Sequence, residues 1–183
     1  MSRHVALLRG INVGGSNVIA MAELRAAFET MGFTEVESYI QSGNVLFRST
    51  KASAAALTRK IEKALSDEFG YAARVIVVAS DELERVVAQA PAGFGARPDA
   101  YRYDVIFPRR PLTTHDVLSQ IATMPGVDTV DAGDHALYFR RLIAKATQSR
   151  LSRFVQQPAY QSCTIRNWRT TLKLRAMVSD ASR

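Results

Sequence analysis

Hydrophobic positions in the first part of the chain recur alternately with the period of a strand and the period of a helix. Short apolar runs indicate buried strands, whereas apolar residues three or four positions apart mark one face of a helix. The strand patterns cover residues 4–8, 36–40, 45–47 and 73–78. The helical patterns are formed by Met21, Leu24, Phe28 and Met31, and by Leu57, Ile61, Leu65 and Phe69. Residues 1–79 are therefore predicted to follow the order β-α-β-β-α-β.

The same order of patterns returns in the second part of the chain. Strands are predicted at residues 103–107, 127–130, 137–140 and 162–166, and helices around residues 117–124 and 151–155. Thr113 and Asp116 resemble a capping box before the first of these helices, and Pro158 ends the second. A last helix is predicted over residues 168–178, with Asn167 as its cap.

Between these halves, residues 80–100 are predicted to form a connecting helix and a linker. Acidic residues open the helix, and residues 91–100 contain two prolines and two glycines. A repeated β-α-β-β-α-β unit is the signature of the ferredoxin-like arrangement, an antiparallel sheet with helices on one face. The sequence thus predicts an α+β protein of two tandem ferredoxin-like units, residues 1–79 and 101–183, the second carrying a C-terminal helix.

Two loops rich in glycine and amide side chains are predicted to meet at one edge of the first sheet. The first two strands of such a unit run parallel, so their carboxyl ends emerge at the same edge. Glycine allows a close backbone approach to an anion, and arginine supplies charge. The alternative is that the glycines form a turn and the asparagines bond to the local backbone. The candidate ligand-binding residues are Arg9, Asn12, Gly14, Gly15, Gln41, Ser42 and Asn44.

The positive charge of the chain is concentrated in its second part. The formal net charge is +7, yet residues 1–99 hold 11 basic and 11 acidic side chains. Residues 135–179 contain nine basic residues and no acidic one. Such one-sided charge favours an anionic partner, either nucleic acid or a phosphate-bearing small molecule, although an arginine-rich solvated face would have the same pattern. The predicted basic patch comprises Arg140, Arg141, Arg150, Arg153, Arg166, Arg169 and Lys173.

The composition argues against several classes of protein. No apolar run approaches the roughly 18 residues that cross a bilayer, and Arg9 interrupts the short apolar N-terminus, so neither a membrane span nor a secretory signal is predicted. Cys163 is the only cysteine, which leaves no internal disulfide and predicts an inert core residue. No metal-ligand spacing and no cofactor motif is found. We therefore expect a cytoplasmic protein without a membrane partner, metal or cofactor.

Three blocks of the sequence carry a resemblance to a known family. They are residues 7–15 (Leu-Leu-Arg-Gly-Ile-Asn-Val-Gly-Gly), 39–45 (Tyr-Ile-Gln-Ser-Gly-Asn-Val) and 166–168 (Arg-Asn-Trp). On these blocks the chain resembles the bacterial family called domain of unknown function 1697. The third block departs from the family, which usually continues with Asn-Thr-Val-Thr-Lys-Leu where residues 169–174 read Arg-Thr-Thr-Leu-Lys-Leu. The resemblance implies a duplicated ferredoxin-like fold and brings no activity, ligand or catalytic residue.

Three functions are compatible with these patterns. The first is a binding protein for an anionic ligand, nucleic acid or a nucleotide, that uses the basic patch and the loop at residues 9–15. The second is an enzyme for a small anionic substrate held by the loops at residues 9–15 and 41–44. The third is a scaffold or oligomerising module, because ferredoxin-like sheets expose edge strands. No nucleophile beside a base and no carboxylate pair identifies a catalytic group, so the enzyme question stays open.

Overall fold

The computed structural model describes residues 1–12, 15, 17–41, 43–50 and 53–180, the last by its backbone only. The chain is α+β, with two four-stranded antiparallel sheets and several helices. It divides into two compact units: residues 1–83 with those from Leu174 onward form the first, and residues 84–173 form the second. Within the described part of the chain, no helix has the length and apolar character that crossing a membrane requires.

The first unit has the element order that the periodicity predicts. Its sheet has the strand order β2-β3-β1-β4, with all neighbours antiparallel. Because β1 and β2 both run antiparallel to β3, their carboxyl ends lie at the same edge of the sheet. The elements are β1 (Ser2–Arg9), α1 (Met21–Thr30), β2 (Thr34–Tyr39), β3 (Asn44–Ser49), α2 (Ala54–Phe69) and β4 (Arg74–Ala79), followed by α3 (Ser80–Ala88).

The core of the first unit is formed by the apolar faces of α1 and α2 against the sheet. Phe28 of α1, Phe47 of β3 and Ile61 of α2 are fully buried, and the two phenylalanine rings meet edge to face at 5.5 Å. Ser53 caps α2 by accepting the N–H of Ala56, and a glycine in the left-handed conformation ends the helix. The four-residue spacing in the sequence therefore identified the buried face of α2 correctly.

The second unit repeats the strand arrangement with shorter helices. Its sheet has the order β6-β7-β5-β8, again antiparallel throughout. Two 3-10 helices, Ile143–Gln148 and Pro158–Ser162, flank the short helix between β7 and β8. The elements are β5 (Tyr101–Pro108), α4 (Thr114–Leu118), β6 (Asp128–Ala132), β7 (Leu137–Leu142), α5 (Leu151–Phe154) and β8 (Cys163–Asn167). The last helix, α6 (Trp168–Asp180), begins in the second unit, and its residues from Leu174 onward belong to the first.

Helix α4 differs from the prediction in its length. The capping box of Thr113 and Asp116 is confirmed, but the helix ends at Leu118, whereas the apolar pattern extends to Met124. Ser119 Oγ donates to the carbonyl oxygen of Asp116 at 2.8 Å, which is the acceptor that another helical turn would use. After Leu118 the backbone bonds tighten to a spacing of three residues, since the N–H groups of Gln120 and Ile121 donate to the carbonyls of Val117 and Leu118, and the α-helix ends before the apolar pattern does.

Candidate functional site

The two loops predicted to meet in the first unit do lie side by side. Asn12 Nδ2 donates to the carbonyl oxygen of Gln41 at 3.0 Å, which joins the loop after β1 to the loop after β2. The same amide group also donates to the carbonyl of Ile19 at 3.0 Å and accepts the N–H of Ile19 at 2.8 Å. The predicted adjacency is confirmed, and the hydrogen bonds of Asn12 hold the loops together.

Asn44 is likewise engaged with the backbone. Its side chain is fully buried, and Nδ2 donates to the carbonyl oxygen of Tyr39 at 3.0 Å. Beside it, the carbonyl of Gly43 accepts the N–H of Leu8 at 2.8 Å, and a Cβ at Gly43 would lie 2.8 Å from the Leu8 Cβ. These contacts agree with the alternative interpretation, in which the asparagines stabilise the turn.

The other loop residues contribute less to a common site. Arg9 is the partly buried last residue of β1, and both Gly15 and Gln41 are exposed. Gly14 and Ser42 lie outside the described residues. A ligand-binding role for this loop pair therefore stays a prediction.

The second unit contains an open cavity of about 540 Å³. It lies where β5 begins and where β7 and β8 end, so the sheet supplies one wall and the start of α6 another. The remaining wall comes from the segment before β5 and from the 3-10 helix after β7. Its lining residues are Gly95, Pro98, Tyr101, Arg102, Tyr103, Arg141, Ile143, Ala146, Asn167, Trp168 and Arg169.

Two of the lining arginines form a pair across neighbouring strands. Arg102 of β5 lies directly opposite Arg141 of β7, so both side chains leave the same face of the sheet. Asp104, which is 3% exposed, lies 3.3 Å from Arg102 Nε through Oδ2. Burial raises the pKa of Asp104 above its usual value, against the opposing effect of the two guanidinium groups. Among the described residues, Asp104 is the carboxylate that forms an ion pair with this arginine pair.

Arg141 has an unsatisfied donor. Its Nε is buried and has no hydrogen-bond partner among the described residues. Asp128 lies directly opposite in β6, but Asp128 Oδ2 accepts the backbone N–H groups of Met124 at 3.1 Å and Arg150 at 2.8 Å. The nearest carboxylate on the edge strand is thus oriented toward the backbone by two hydrogen bonds.

Aromatic rings form the apolar part of the cavity. The guanidinium carbon of Arg140 lies 4.8 Å from the centroid of the Tyr101 ring, and that of Arg97 lies 5.4 Å from it. Phe94 contacts Tyr103 at 4.9 Å and Trp168 at 5.1 Å, both edge to face. These cation–π and edge-to-face contacts give the rings defined positions.

Asn167 links the sheet to the last helix. Its Oδ1 accepts the N–H of Arg169 at 3.0 Å, which confirms the predicted cap of α6, and its Nδ2 donates to the carbonyl of Tyr103 at 3.2 Å. Trp168, the first residue of α6, is held against the backbone at Gly95, where a Cβ would overlap the indole. The cap therefore sets the direction in which Trp168 and Arg169 reach the cavity.

The structure brings together only part of the predicted basic patch. Arg141 and Arg169 line the cavity, and Arg140 packs on a ring that lines it. The other four residues of the patch do not line the cavity, namely Arg150, Arg153, Arg166 and Lys173. Among them, Arg166 is buried, and burial lowers its pKa to about 10.

Sequence reasoning missed the residues at the start of β5. Tyr101, Arg102 and Tyr103 line the cavity, yet they precede the acid-free segment that was used to define the basic patch. The negative charge of Asp104 cancels that of Arg102, so the start of β5 has no net charge in the sequence. The alternation of tyrosine with arginine at the beginning of a strand was the available signal, because basic and aromatic side chains occur together where proteins bind phosphate-bearing bases.

Groups suited to acid–base or metal chemistry are not assembled in the described residues. No cluster of three His, Cys, Asp or Glu that could hold a metal ion is found in this part of the chain. His4 is buried, its ring stacks on Phe47 at 5.5 Å, and burial lowers its pKa. Cys163 is buried as predicted.

Comparison with known proteins assigns the family. No match was found among curated proteins. Among solved structures, the chain is similar to the conserved bacterial protein SP0830 from Streptococcus pneumoniae, with 28% sequence identity, a TM-score of 0.84 and coverage of 97% of this chain and 98% of that one. The model of the family described as "Protein of unknown function (DUF1697)" matches residues 1–138. The chain therefore belongs to the DUF1697 family, as its sequence blocks predicted.

Proposed function

We propose that the chain binds a small anionic ligand in the cavity of the second unit. Arg102, Arg141 and Arg169 line this cavity and would supply the positive charge. The observation that carries the proposal is the arginine pair across β5 and β7, for which Asp104 is the one ion-pairing carboxylate among the described residues. An anion in the cavity would balance the excess charge.

Electrostatics explain why a ligand should be favoured here. Two like charges directly opposite each other on one face of an antiparallel pair destabilise the sheet. Burial disfavours the negative charge of Asp104, as the upward shift of its pKa indicates. An anion would relieve the repulsion between the arginines, and it would do so best when Asp104 is protonated. Binding should therefore depend on the arginine pair more than on any other basic residues of the chain.

Hydrogen-bond chemistry points to the same class of ligand. A guanidinium group presents its donors in a planar fork that matches two oxygens of a phosphate or a carboxylate. Arg102 and Arg141 lie on the same face of the sheet and both line the cavity, so their guanidinium groups favour a ligand of this class.

We also infer that each unit is a ferredoxin-like repeat. Support comes from the order β-α-β-β-α-β in the first unit and from the matching strand orders β2-β3-β1-β4 and β6-β7-β5-β8. In this interpretation, β5 and β7 of the second unit correspond to β1 and β3 of the first. The ligand site proposed here would then be a feature of one repeat only.

Calorimetric titration with pyrophosphate tests the proposed function. We expect saturable binding at low salt that weakens as salt rises, because screening reduces the attraction between charges. Arg141→Gln should lower the affinity at least about tenfold, since a hydrogen bond to a charged group contributes roughly 1.5–3 kcal/mol. The matched control is Arg153→Gln, an exposed arginine outside the cavity, which should leave the affinity unchanged. No binding, or an equal loss in both variants, contradicts the proposal.

A further inference from the structure

We propose that the ligand of this cavity is a nucleoside monophosphate, in which a phosphate group is joined to a planar aromatic base. This inference rests on the proposed function, because the phosphate would be the anion held by Arg102 and Arg141. The base is the additional claim. It is argued from the rings of the cavity, from their fixed positions and from the size of the space.

Rings and guanidinium groups alternate along the two elements that wall the cavity. Tyr101, Arg102 and Tyr103 are the first three residues of β5, and Trp168 and Arg169 are the first two of α6. Successive side chains of a strand point to opposite faces, so Tyr101 and Tyr103 leave one face of the sheet and Arg102 leaves the other, and the cavity at the end of β5 is lined from both. A ligand that reaches around the end of the strand would contact both kinds of group.

The rings are positioned before a ligand binds. Trp168 is held edge-on by Phe94, with an angle of 83° between the ring planes, and Gly95 allows the indole to pack against the backbone. Tyr101 is held by the guanidinium group of Arg140. Rigid aromatic side chains stack on a planar base with little loss of conformational entropy. The cavity is therefore suited to a flat ring beside its anion.

The size of the cavity favours a single nucleotide over a strand. Its volume of about 540 Å³ falls within the range of about 300–1,000 Å³ that is typical of small-molecule sites. Binding of a nucleic acid strand relies on a basic groove that follows the backbone over several nucleotides. Arg153 and Lys173, which are exposed basic residues of α5 and α6, do not line the cavity. The basic residues that do line it are Arg102, Arg141 and Arg169, which suits one phosphate group better than a strand.

Intrinsic fluorescence measures this binding directly, because Trp168 is the only tryptophan in the chain. Titration with adenosine 5′-monophosphate should quench the emission of Trp168. The affinity should exceed that for ribose 5-phosphate by about tenfold, since stacking of a base on an aromatic side chain strengthens binding to this degree. Both probes carry the same phosphate group, so their ratio isolates the contribution of the base.

A variant of Tyr101 tests whether the preference for adenosine 5′-monophosphate arises at this ring. Tyr101→Leu should reduce the preference for adenosine 5′-monophosphate to near unity while the affinity for ribose 5-phosphate is retained. Tyr39→Leu, at a partly buried tyrosine of β2 in the first unit, is the matched control and should leave both affinities unchanged. The ratio for the unaltered protein tests the inference even where a variant fails to fold.

The outcomes separate this inference from the proposed function. Equal affinities for the two probes would overturn the nucleotide assignment and leave anion binding in place. No binding of either probe or of pyrophosphate would overturn both proposals. Tighter binding of a short single-stranded oligonucleotide than of adenosine 5′-monophosphate would overturn the mononucleotide in favour of nucleic acid.

Discussion

The two units carry an arginine pair at the same place in their sheets and balance its charge differently. Arg3, the second residue of β1, lies opposite Arg48, the fifth residue of β3. Arg102, the second residue of β5, lies opposite Arg141, the fifth residue of β7. Each pair places two like charges on one face of an antiparallel ladder, which destabilises a sheet without counter-charges.

In the first unit, the edge strand supplies two glutamates. Glu37 Oε1 lies 2.9 Å from Arg3 Nη2, and Glu35 Oε2 lies 2.8 Å from Arg48 Nε and 3.7 Å from Arg3 Nη1. The register of β2 shifts between Thr34 and Glu37, and Glu35 has a φ of +48°. This bulge helps to present both carboxylates to the arginines. Each arginine of the first pair therefore has an ion-pair partner.

In the second unit, β6 keeps a regular register and places Asp128 opposite Arg141. Two backbone N–H groups donate to one oxygen of the Asp128 carboxylate. Among the described residues, this arginine pair forms one ion pair, between Arg102 and Asp104. Arg3 also has a buried Nε without a hydrogen bond, so the difference between the units is one of charge. The first pair thus forms ion pairs with two carboxylates, whereas the second forms one with Asp104, and Asp128 is held by the backbone.

The largest effect is expected when the first unit loses its counter-charges. Replacing both Glu35 and Glu37 with glutamine leaves Arg3, whose side chain is 3% exposed, as a buried charge. Removing one partner of a buried ion pair costs about 3–5 kcal/mol, and because the glutamates are half exposed we expect a loss of about 3 kcal/mol in unfolding free energy. Urea denaturation measures it, with Glu29→Gln on α1 as control. An unchanged midpoint would show that these ion pairs add no stability.

Replacing one arginine of each pair with methionine should change the unfolding free energy by an intermediate amount, with opposite sign in the two units. Arg48→Met removes a charged hydrogen bond to Glu35 and should lower the unfolding free energy by about 1.5 kcal/mol. Arg141→Met removes a like charge and a buried unsatisfied donor, so it should raise the unfolding free energy by about 1 kcal/mol while abolishing pyrophosphate binding. Urea denaturation of both variants checks the comparison. Equal destabilisation would mean that Arg141 is balanced as well as Arg48.

The smallest effect concerns the pH dependence of the second unit. Burial raises the pKa of Asp104 above the usual 3.8, so the folded protein keeps this proton to a higher pH than the unfolded chain does. The contribution of Asp104 to stability is therefore greatest at low pH and falls as pH rises from 3.8 through the folded pKa. Protonation also removes the negative charge beside Arg102, which lines the cavity, so sulfate should bind a few-fold more tightly at the lower pH.

Calorimetric titration with sulfate at several pH values checks this expectation, because sulfate keeps its charge over the range. Asp104→Asn should bind sulfate with an affinity that no longer follows this titration. A wild-type affinity that weakens as pH falls would contradict the assigned role of Asp104. The first unit offers a contrast, since its glutamates lie outside the cavity and should not affect sulfate binding.

Part of the proposed site was visible in the sequence. The acid-free segment predicted Arg141 and Arg169 as part of a basic patch, and they line the cavity. It predicted Arg153 and Lys173 equally, although they do not line the cavity, because the charge pattern along a chain does not show which side chains lie close together. In the loops, Asn12 and Asn44 looked like ligand-binding amides, and their hydrogen bonds go to neighbouring backbone carbonyls. Residue type alone does not distinguish an amide that binds a ligand from one that stabilises a turn.

The sequence by itself determined the order of strands and helices, the caps at Thr113 and Asn167, and the excess of positive charge in the second part. Such features depend on residues a few positions apart, so local periodicity is enough to predict them. Only the tertiary structure decided that Arg102 lies opposite Arg141 and that Tyr101 and Trp168 share a cavity. Strand register is set by pairing between distant segments, and a shift of one residue would turn every side chain to the other face.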